Sequence, residues 1–195
     1  MLFRRLCVFC GSYTGRRPAY RAAAERLGVL LVERGIELVY GGGNIGLMGV
    51  LADTILARGG RAIGVIPESL MAKEVGHTGL TELRIVNSMH ERKAVMSDLA
   101  DGFIALPGGF GTLEEFCEVV TWSQLGLQSK PCGLLNVERY YAPLLELFDH
   151  AVREGFLREK NRRLVLDDED PEGLLEKMTA FRSAPAAKWI EREER

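Results

Sequence analysis

The segment Pro107-Gly108-Gly109-Phe110-Gly111-Thr112-Leu113-Glu114-Glu115 sets a cluster of glycines directly before two carboxylates. An apolar run, Phe103 to Leu106, precedes it, and an amphipathic run from Leu113 to about Leu125 follows. That order predicts a strand, a glycine turn and a helix beginning near Thr112. Glycines let the backbone approach a ligand where a Cβ would clash. The free N–H groups at a helix start favour an anion, phosphate above all. Glu114 and Glu115 then fall in the first helical turn. A phosphate cradle beside carboxylates points to a phosphorylated substrate on which a carboxylate acts. Thr112 to Glu115 also reads as a T-x-x-E capping box, in which Glu115 would only close the turn. The adjoining glycines favour chemistry, because a simple cap does not need so many of them.

Arg92 and Lys93 lie in a helix predicted from about Ser88 to Ala100. Met89, Met96, Leu99 and Ala100 recur at helical spacing and form an apolar stripe on which Arg92 also falls. Charges avoid burial unless paired. Arg92 therefore calls for an anion, either a ligand phosphate or a buried glutamate, and the ligand is favoured. Lys93 stands one position round the helix, where a plain surface charge is the alternative. His90 reads as exposed. Gly41-Gly42-Gly43-Asn44-Ile45-Gly46 fits G-x-G-x-x-G but follows the second strand, not the first, and lacks the Lys-Ser/Thr of a P-loop. It reads as a nucleotide-contacting glycine turn, with Gly43 in it, or at its blandest as a tight strand-to-helix turn. Ser12 stands where the first strand yields to a loop. It offers a hydroxyl to a phosphate or ribose, or merely caps the turn, which spacing alone favours. Glu68 to Gly79, with Lys73, Glu74 and His77, shows no clear period; a loop of that length is often a lid or a mobile segment.

These pieces, in order, resemble the LOG ("Lonely Guy") family of cytokinin riboside 5'-monophosphate phosphoribohydrolases, often labelled lysine decarboxylase-like. Pro107 to Glu115 is similar to the family's PGGxGTxxE signature. Met89-His90-Glu91-Arg92-Lys93 resembles its arginine-lysine segment, and Gly41 to Gly49 its first glycine-rich turn. The similarity runs from about Leu6 to about Leu166. It implies hydrolysis of the N-glycosidic bond of a nucleoside 5'-monophosphate to free base and ribose 5-phosphate. It also implies Arg92 and Glu115 as the catalytic pair. The binding residues it implies are Glu74, Arg92, Lys93, Gly108, Gly109, Phe110, Gly111, Thr112, Leu113, Glu114 and Thr121, to which the turn readings add Ser12 and Gly43. A homodimer is implied as well, with neighbouring helices completing the site; Trp122, Leu125 and Leu127 are candidates for its interface or for the core. Competing readings are a general AMP nucleosidase of purine salvage and a non-catalytic module holding a nucleotide or molybdenum cofactor. Retained Arg92 and Glu115 argue against the module. A pyridoxal decarboxylase would need a Schiff-base lysine and a larger cofactor fold, and neither Lys73 nor Lys93 sits in such a context.

The elements that must position these groups alternate regularly. Apolar runs at Leu6–Cys10, Ile36–Tyr40, Arg61–Ile66, Thr81–Val86, Phe103–Leu106, Pro131–Asn136 and Arg163–Leu166 predict strands. Helices are predicted between them, the first from Pro18 to Arg34 with Ala22, Leu27, Leu30 and Leu31 inward, a later one from Tyr141 to Glu154, and a last one from Pro171 to Phe181. The fold class is α/β: a Rossmann-like, doubly wound, mostly parallel sheet of about seven strands with helices on both faces. In such a sheet, ligands bind beyond the carboxyl ends of the strands, where one cleft would collect Ser12, Gly41 to Gly46, Arg92 and the Pro107 segment.

The 195 residues suit one domain, taken as 1–182, with a polar tail at 183–195 expected to fray. A net charge of −2 without a basic block gives no reason to expect nucleic acid as a partner. No apolar run approaches a membrane span, and Leu6 to Cys10 is too short for a signal-peptide core, so a cytoplasmic location is expected. No metal-ligand cluster appears, and no metal or other cofactor is expected. Cys7 and Cys10 form a CxxC, but without a second pair to complete a zinc set they read as buried, reduced thiols.

Overall fold

The computed structural model describes residues 3–71 and 76–182. The expected tail, and Lys73 and Glu74, lie outside the described residues. Strand periodicity assigns the core. Along β1 (Arg5–Phe9), Leu6 and Val8 join one buried cluster, while Cys7 and Phe9 join the other. The same alternation splits Leu38 and Tyr40 from Val39 in β2 (Glu37–Tyr40), and Ile104 from Phe103 and Ala105 in β5 (Gly102–Ala105). Successive strand side chains point to opposite faces, so runs this apolar must be covered on both. Cys10, three residues past Cys7, belongs to the other face's cluster, and all four cysteines are free thiols.

The remaining strands are β3 (Ala62–Pro67), β4 (Glu82–Val86), β6 (Cys132–Leu135) and β7 (Val165–Asp168). Among the described residues, seven strands form one sheet in the order β4-β3-β2-β1-β5-β6-β7, and each neighbouring pair of them is parallel. This is the expected doubly wound architecture. α1 (Pro18–Glu33), α2 (Gly46–Ala57) and α8 (Pro171–Ala180) supply the first cluster; α4 (Met89–Leu99), α5 (Phe110–Gln124) and α6 (Ala142–Arg153) pack on the second. Two short helices, α3 (Glu68–Met71) and α7 (Glu159–Arg162), were not expected from periodicity, which a single turn cannot display. Ala22 is exposed; α1 turns Ala23 and Ala24 inward instead, beside Leu27, Leu30 and Leu31.

The order reverses between β1 and β5. β1 runs on to a helix on one face and β5 to a helix on the other, so their exits diverge and leave a crevice. Register makes the exits level, with Phe9 opposite Ala105. Leu106 N–H then donates to the Phe9 carbonyl at 2.9 Å, and Gly11 N–H to the Pro107 carbonyl at 3.1 Å. The backbones lie so close that a Cβ on Gly11 would come within 3.3 Å of the Gly108 Cα.

Candidate functional site

The crevice is a cleft of about 490 Å³, within the range of small-molecule sites. One wall is the loop after β1, with Ser12 and Tyr13. The other is the turn after β5, from Pro107 to Thr112, with Glu114 and Glu115 behind it. Arg92 and Met89 reach in from α4.

α5 begins at Phe110, two residues before the expected start, with Gly109 as its N-cap and no side-chain cap. Thr112 is therefore the third helical residue, only 4% exposed, and the T-x-x-E capping box does not form. Glu114 and Glu115 fall in the second turn, not the first. The N–H groups that lack an intrahelical partner are those at the helix start, Phe110 to Thr112. Their partial positive charge faces the cleft, where an anion is stabilised. The sharp packing requires glycine at 108, since a Cβ there would strike the Thr112 hydroxyl and come within 2.9 Å of the Gly11 nitrogen.

α4 starts at Ser88, whose hydroxyl accepts the Glu91 N–H at 3.1 Å. One turn on, Arg92 is 5% exposed. Its Nε donates to the Val65 carbonyl at 3.0 Å and its Nη2 to the Gly41 carbonyl at 2.8 Å. The buried-stripe expectation thus holds for Arg92, and backbone carbonyls at the ends of β3 and β2 supply anchors that sequence spacing did not show. Met89, expected inward, is 42% exposed at the cleft rim.

The charges of Arg92 and Glu115 both reach β1. Burial pushes the Cys7 thiol up, the Glu115 charge adds to this, and the Arg92 charge opposes it. Burial, then Glu115, likewise pushes up Cys10, which lines the cleft floor. Inert thiols follow, not activated ones.

The cleft thus gathers Ser12, Arg92, Gly108 to Thr112, Glu114 and Glu115. Four expected site residues do not line it. Gly43 is buried and forms a bridge to Gly76. Leu113 is half-buried against the core. Lys93 is turned away, its Nζ bonded to Glu114 Oε1 at 2.5 Å and Glu118 Oε1 at 3.0 Å. Thr121 is exposed far along α5, its hydroxyl donating to the Cys117 carbonyl at 2.7 Å. Glu74 lies outside the described residues. The turn of Gly41 to Gly46 acts from behind: Gly41 anchors Arg92, and Gly46, at φ 59°, lies so close to Ser12 and Tyr13 that a Cβ would overlap their backbone.

Sequence reading missed Tyr140, which lines the cleft and donates its hydroxyl to the Gly108 carbonyl at 2.5 Å. Its signal was available: it follows β6, and strand ends are where such sheets bind ligands. His77, in the loop without period, is buried with Nε2 2.9 Å from Asp53 Oδ1. No helix among the described residues is long and apolar enough to cross a membrane.

A family model described as "Possible lysine decarboxylase" matches residues 48–178. Among curated relatives, the cytokinin riboside 5'-monophosphate phosphoribohydrolase LOG of Oryza sativa subsp. japonica is 57% identical over 164 residues, which is 84% of this chain and 68% of that protein. A cytokinin riboside 5'-monophosphate phosphoribohydrolase of Arabidopsis thaliana is 49% identical over 179 residues, 92% of this chain and 82% of that one. Among solved structures, the molybdenum cofactor carrier protein of Chlamydomonas reinhardtii superposes with a TM-score of 0.67 at 19% identity, covering 91% of this chain and 98% of that one. The molybdenum cofactor binding protein of Rippkaea orientalis gives 0.66 at 20%, covering 90% and 95%. At such identities the likeness is one of fold.

Proposed function

This chain belongs to the LOG family of cytokinin riboside 5'-monophosphate phosphoribohydrolases, and from that premise we propose that it hydrolyses N6-modified adenosine 5'-monophosphates to free base and ribose 5-phosphate. The observation that carries the reading is one cleft holding a helix start, a buried arginine and a carboxylate at the reversal of strand order. The 5'-phosphate is held at the start of α5, among Gly108 to Thr112, with Ser12 opposite. A phosphate held there gives a preference for nucleotides over nucleosides.

As the bond from ribose C1' to the base nitrogen breaks, its electron pair leaves with the base and positive charge develops on the ribose. Glu115 stabilises that charge and takes a proton from the water that attacks C1'. The departing base takes up a proton from solvent water as it leaves, and Glu115 releases the proton it gained to solvent, so one water is consumed in all. Arg92 keeps its own proton and stabilises negative charge on the phosphate or the leaving base. Glu114 supports the cradle. Lys93 acts through Glu114; Glu74, Leu113 and Thr121 remain binding residues by family resemblance, and Gly43 by its place in the glycine turn after β2.

Residues 1–182 serve as one domain around the single sheet. A homodimer is part of the proposal, supported by Leu125 and Leu127, which are 41% and 69% exposed at the end of α5; Trp122 packs on the core. The four free thiols suit a reducing compartment, and we place the protein in the cytoplasm.

The test is a product assay with AMP, isopentenyl-AMP and isopentenyladenosine. Free base from the isopentenyl nucleotide and none from the nucleoside is the expected result. Preference for AMP would indicate a general nucleosidase. Tight nucleotide binding without turnover would indicate a binding module.

A further inference from the structure

After β6 the chain passes through Glu138 and Arg139, both in the left-handed region at φ 53° and 58°, a conformation costly for residues with a Cβ and often found near functional sites. Glu138 is tied to Arg17 at 2.9 Å. The turn delivers two adjacent tyrosines to two carbonyls of the outgoing β5 chain. Tyr140 Oη donates to Gly108 O at 2.5 Å, and Tyr141 Oη donates to Leu106 O at 2.6 Å. Edge-to-face contacts with Tyr20 and Tyr141, at 5.9 and 5.0 Å between centroids, fix the Tyr140 ring.

The two bonds are not equivalent. The C=O and N–H of a trans peptide point in opposite directions, and no peptide bond among the described residues is cis. Anchoring the Gly108 carbonyl therefore turns the Gly109 N–H the other way. The Leu106 carbonyl is followed by Pro107, which has no N–H to aim. Tyr141, 1% exposed, only fastens the chain, whereas Tyr140, 40% exposed at the cleft, sets the direction of a donor.

We propose that Tyr140 is a positioning residue that holds the Gly109 N–H toward the cleft, where it joins the start of α5 in binding the substrate's 5'-phosphate. The inference rests on the nucleotide reading above. It extends the phosphate site to a third strand's loop.

The test uses the full chain with AMP, adenosine and inorganic phosphate as ligands. Tyr140→Phe is expected to weaken AMP and inorganic phosphate roughly tenfold, the scale of one hydrogen bond to a charged group, while adenosine stays within about twofold. Tyr141→Phe is expected to lower Tm yet leave phosphate affinity within about twofold. Unchanged phosphate affinity in Tyr140→Phe, or equal weakening of AMP and adenosine, overturns the proposal. Failure of the unaltered protein to bind AMP would overturn the nucleotide reading instead, so the two failures are distinguishable.

Discussion

The Arg92 guanidinium occupies the space that a Cβ on residue 41 would need, and its Nη2 donates to the Gly41 carbonyl at 2.8 Å. Glycine at 41 is thus a condition for the arginine's position, although Gly41 itself does not line the cleft. The obstructing atom is the far end of a flexible side chain, so Gly41→Ala should fold. It should also displace the guanidinium, and misplacement by about 1 Å can cost about 10²-fold in rate. The expected outcome is a Tm within a few degrees of the unaltered protein and turnover lowered roughly a hundredfold. A variant with full kcat would show that Arg92 need not stand there.

Arg92→Ala and Glu115→Gln are each expected to abolish turnover while circular dichroism shows a folded protein. Loss of a general base at Glu115 costs about 10²- to 10⁴-fold, and loss of an electrostatic stabiliser at Arg92 about 10²- to 10³-fold. The stability effects should differ. Removing Arg92 leaves the buried Val65 and Gly41 carbonyls without those bonds, which costs about 1–3 kcal/mol per group. Glu115→Gln is isosteric and half-buried, so its Tm should move less. Full activity of Glu115→Gln would return the catalytic role to another group.

How far the sequence carried can be judged at these same residues. Continuous apolar runs announced the inner strands, because a parallel sheet covered on both faces must be apolar on both. β7, expected at Arg163–Leu166, lies at Val165–Asp168, since the turn closing α7 takes up Arg163 and Leu164. The burial of Arg92 was legible from helical spacing on α4. Its anchors were not, since Val65 and Gly41 are 27 and 51 residues away and carbonyl partners leave no mark in residue type. The α5 start was misplaced because Thr112 is a good cap by chemistry. The backbone used Gly109 instead, so that Thr112 could pack beneath Gly108. For Lys93, motif resemblance points to substrate, and the two carboxylates that hold its ammonium, one and two helical turns along α5, were not legible from its own helix.

Lys93→Ala is accordingly expected to act first on stability. Its side chain is 10% exposed, and Glu118 retains a buried oxygen, Oε2, without a hydrogen-bond partner. Losing the shared ammonium should cost about 1–3 kcal/mol, discounted because Glu114 is more than half exposed. Burial works to lower the Lys93 pKa, but the hydrogen bonds of Glu114 and Glu118 outweigh it and hold the group above the ordinary lysine value. A raised folded pKa gives stability that is fully present below the unfolded value, about 10.4. It is lost as pH rises through the folded one. The Tm gap between the unaltered protein and the variant should therefore be constant from pH 7 to 9 and narrow above pH 10. A gap that widened there would contradict the pairing.

Glu37 provides the opposite sign at the other end of the sheet. It sits at the start of β2, its Oε2 bonded to Arg5 of β1 at 2.6 Å and its Oε1 2.9 Å from Arg61, just before β3. One carboxylate thereby ties the entries of three strands. The Arg5 hydrogen bond holds its pKa below the usual carboxylate range; burial opposes this, and the charges of Arg5 and Arg61 reinforce it. A depressed folded pKa gives stability present above the unfolded value, about 4.3, and lost as pH falls through the folded one. Glu37→Gln should destabilise by about 1 kcal/mol at pH 7, with the difference shrinking between pH 5 and pH 3. The Asp168 pKa is also lowered, chiefly by its hydrogen bond from Lys177, so acid destabilisation of the protein has more than one source. Only the difference between the two proteins, followed by urea unfolding across that range, isolates Glu37. A difference that did not change with pH would mean that Glu37 contributes through packing and neutral hydrogen bonding, with no part for its charge.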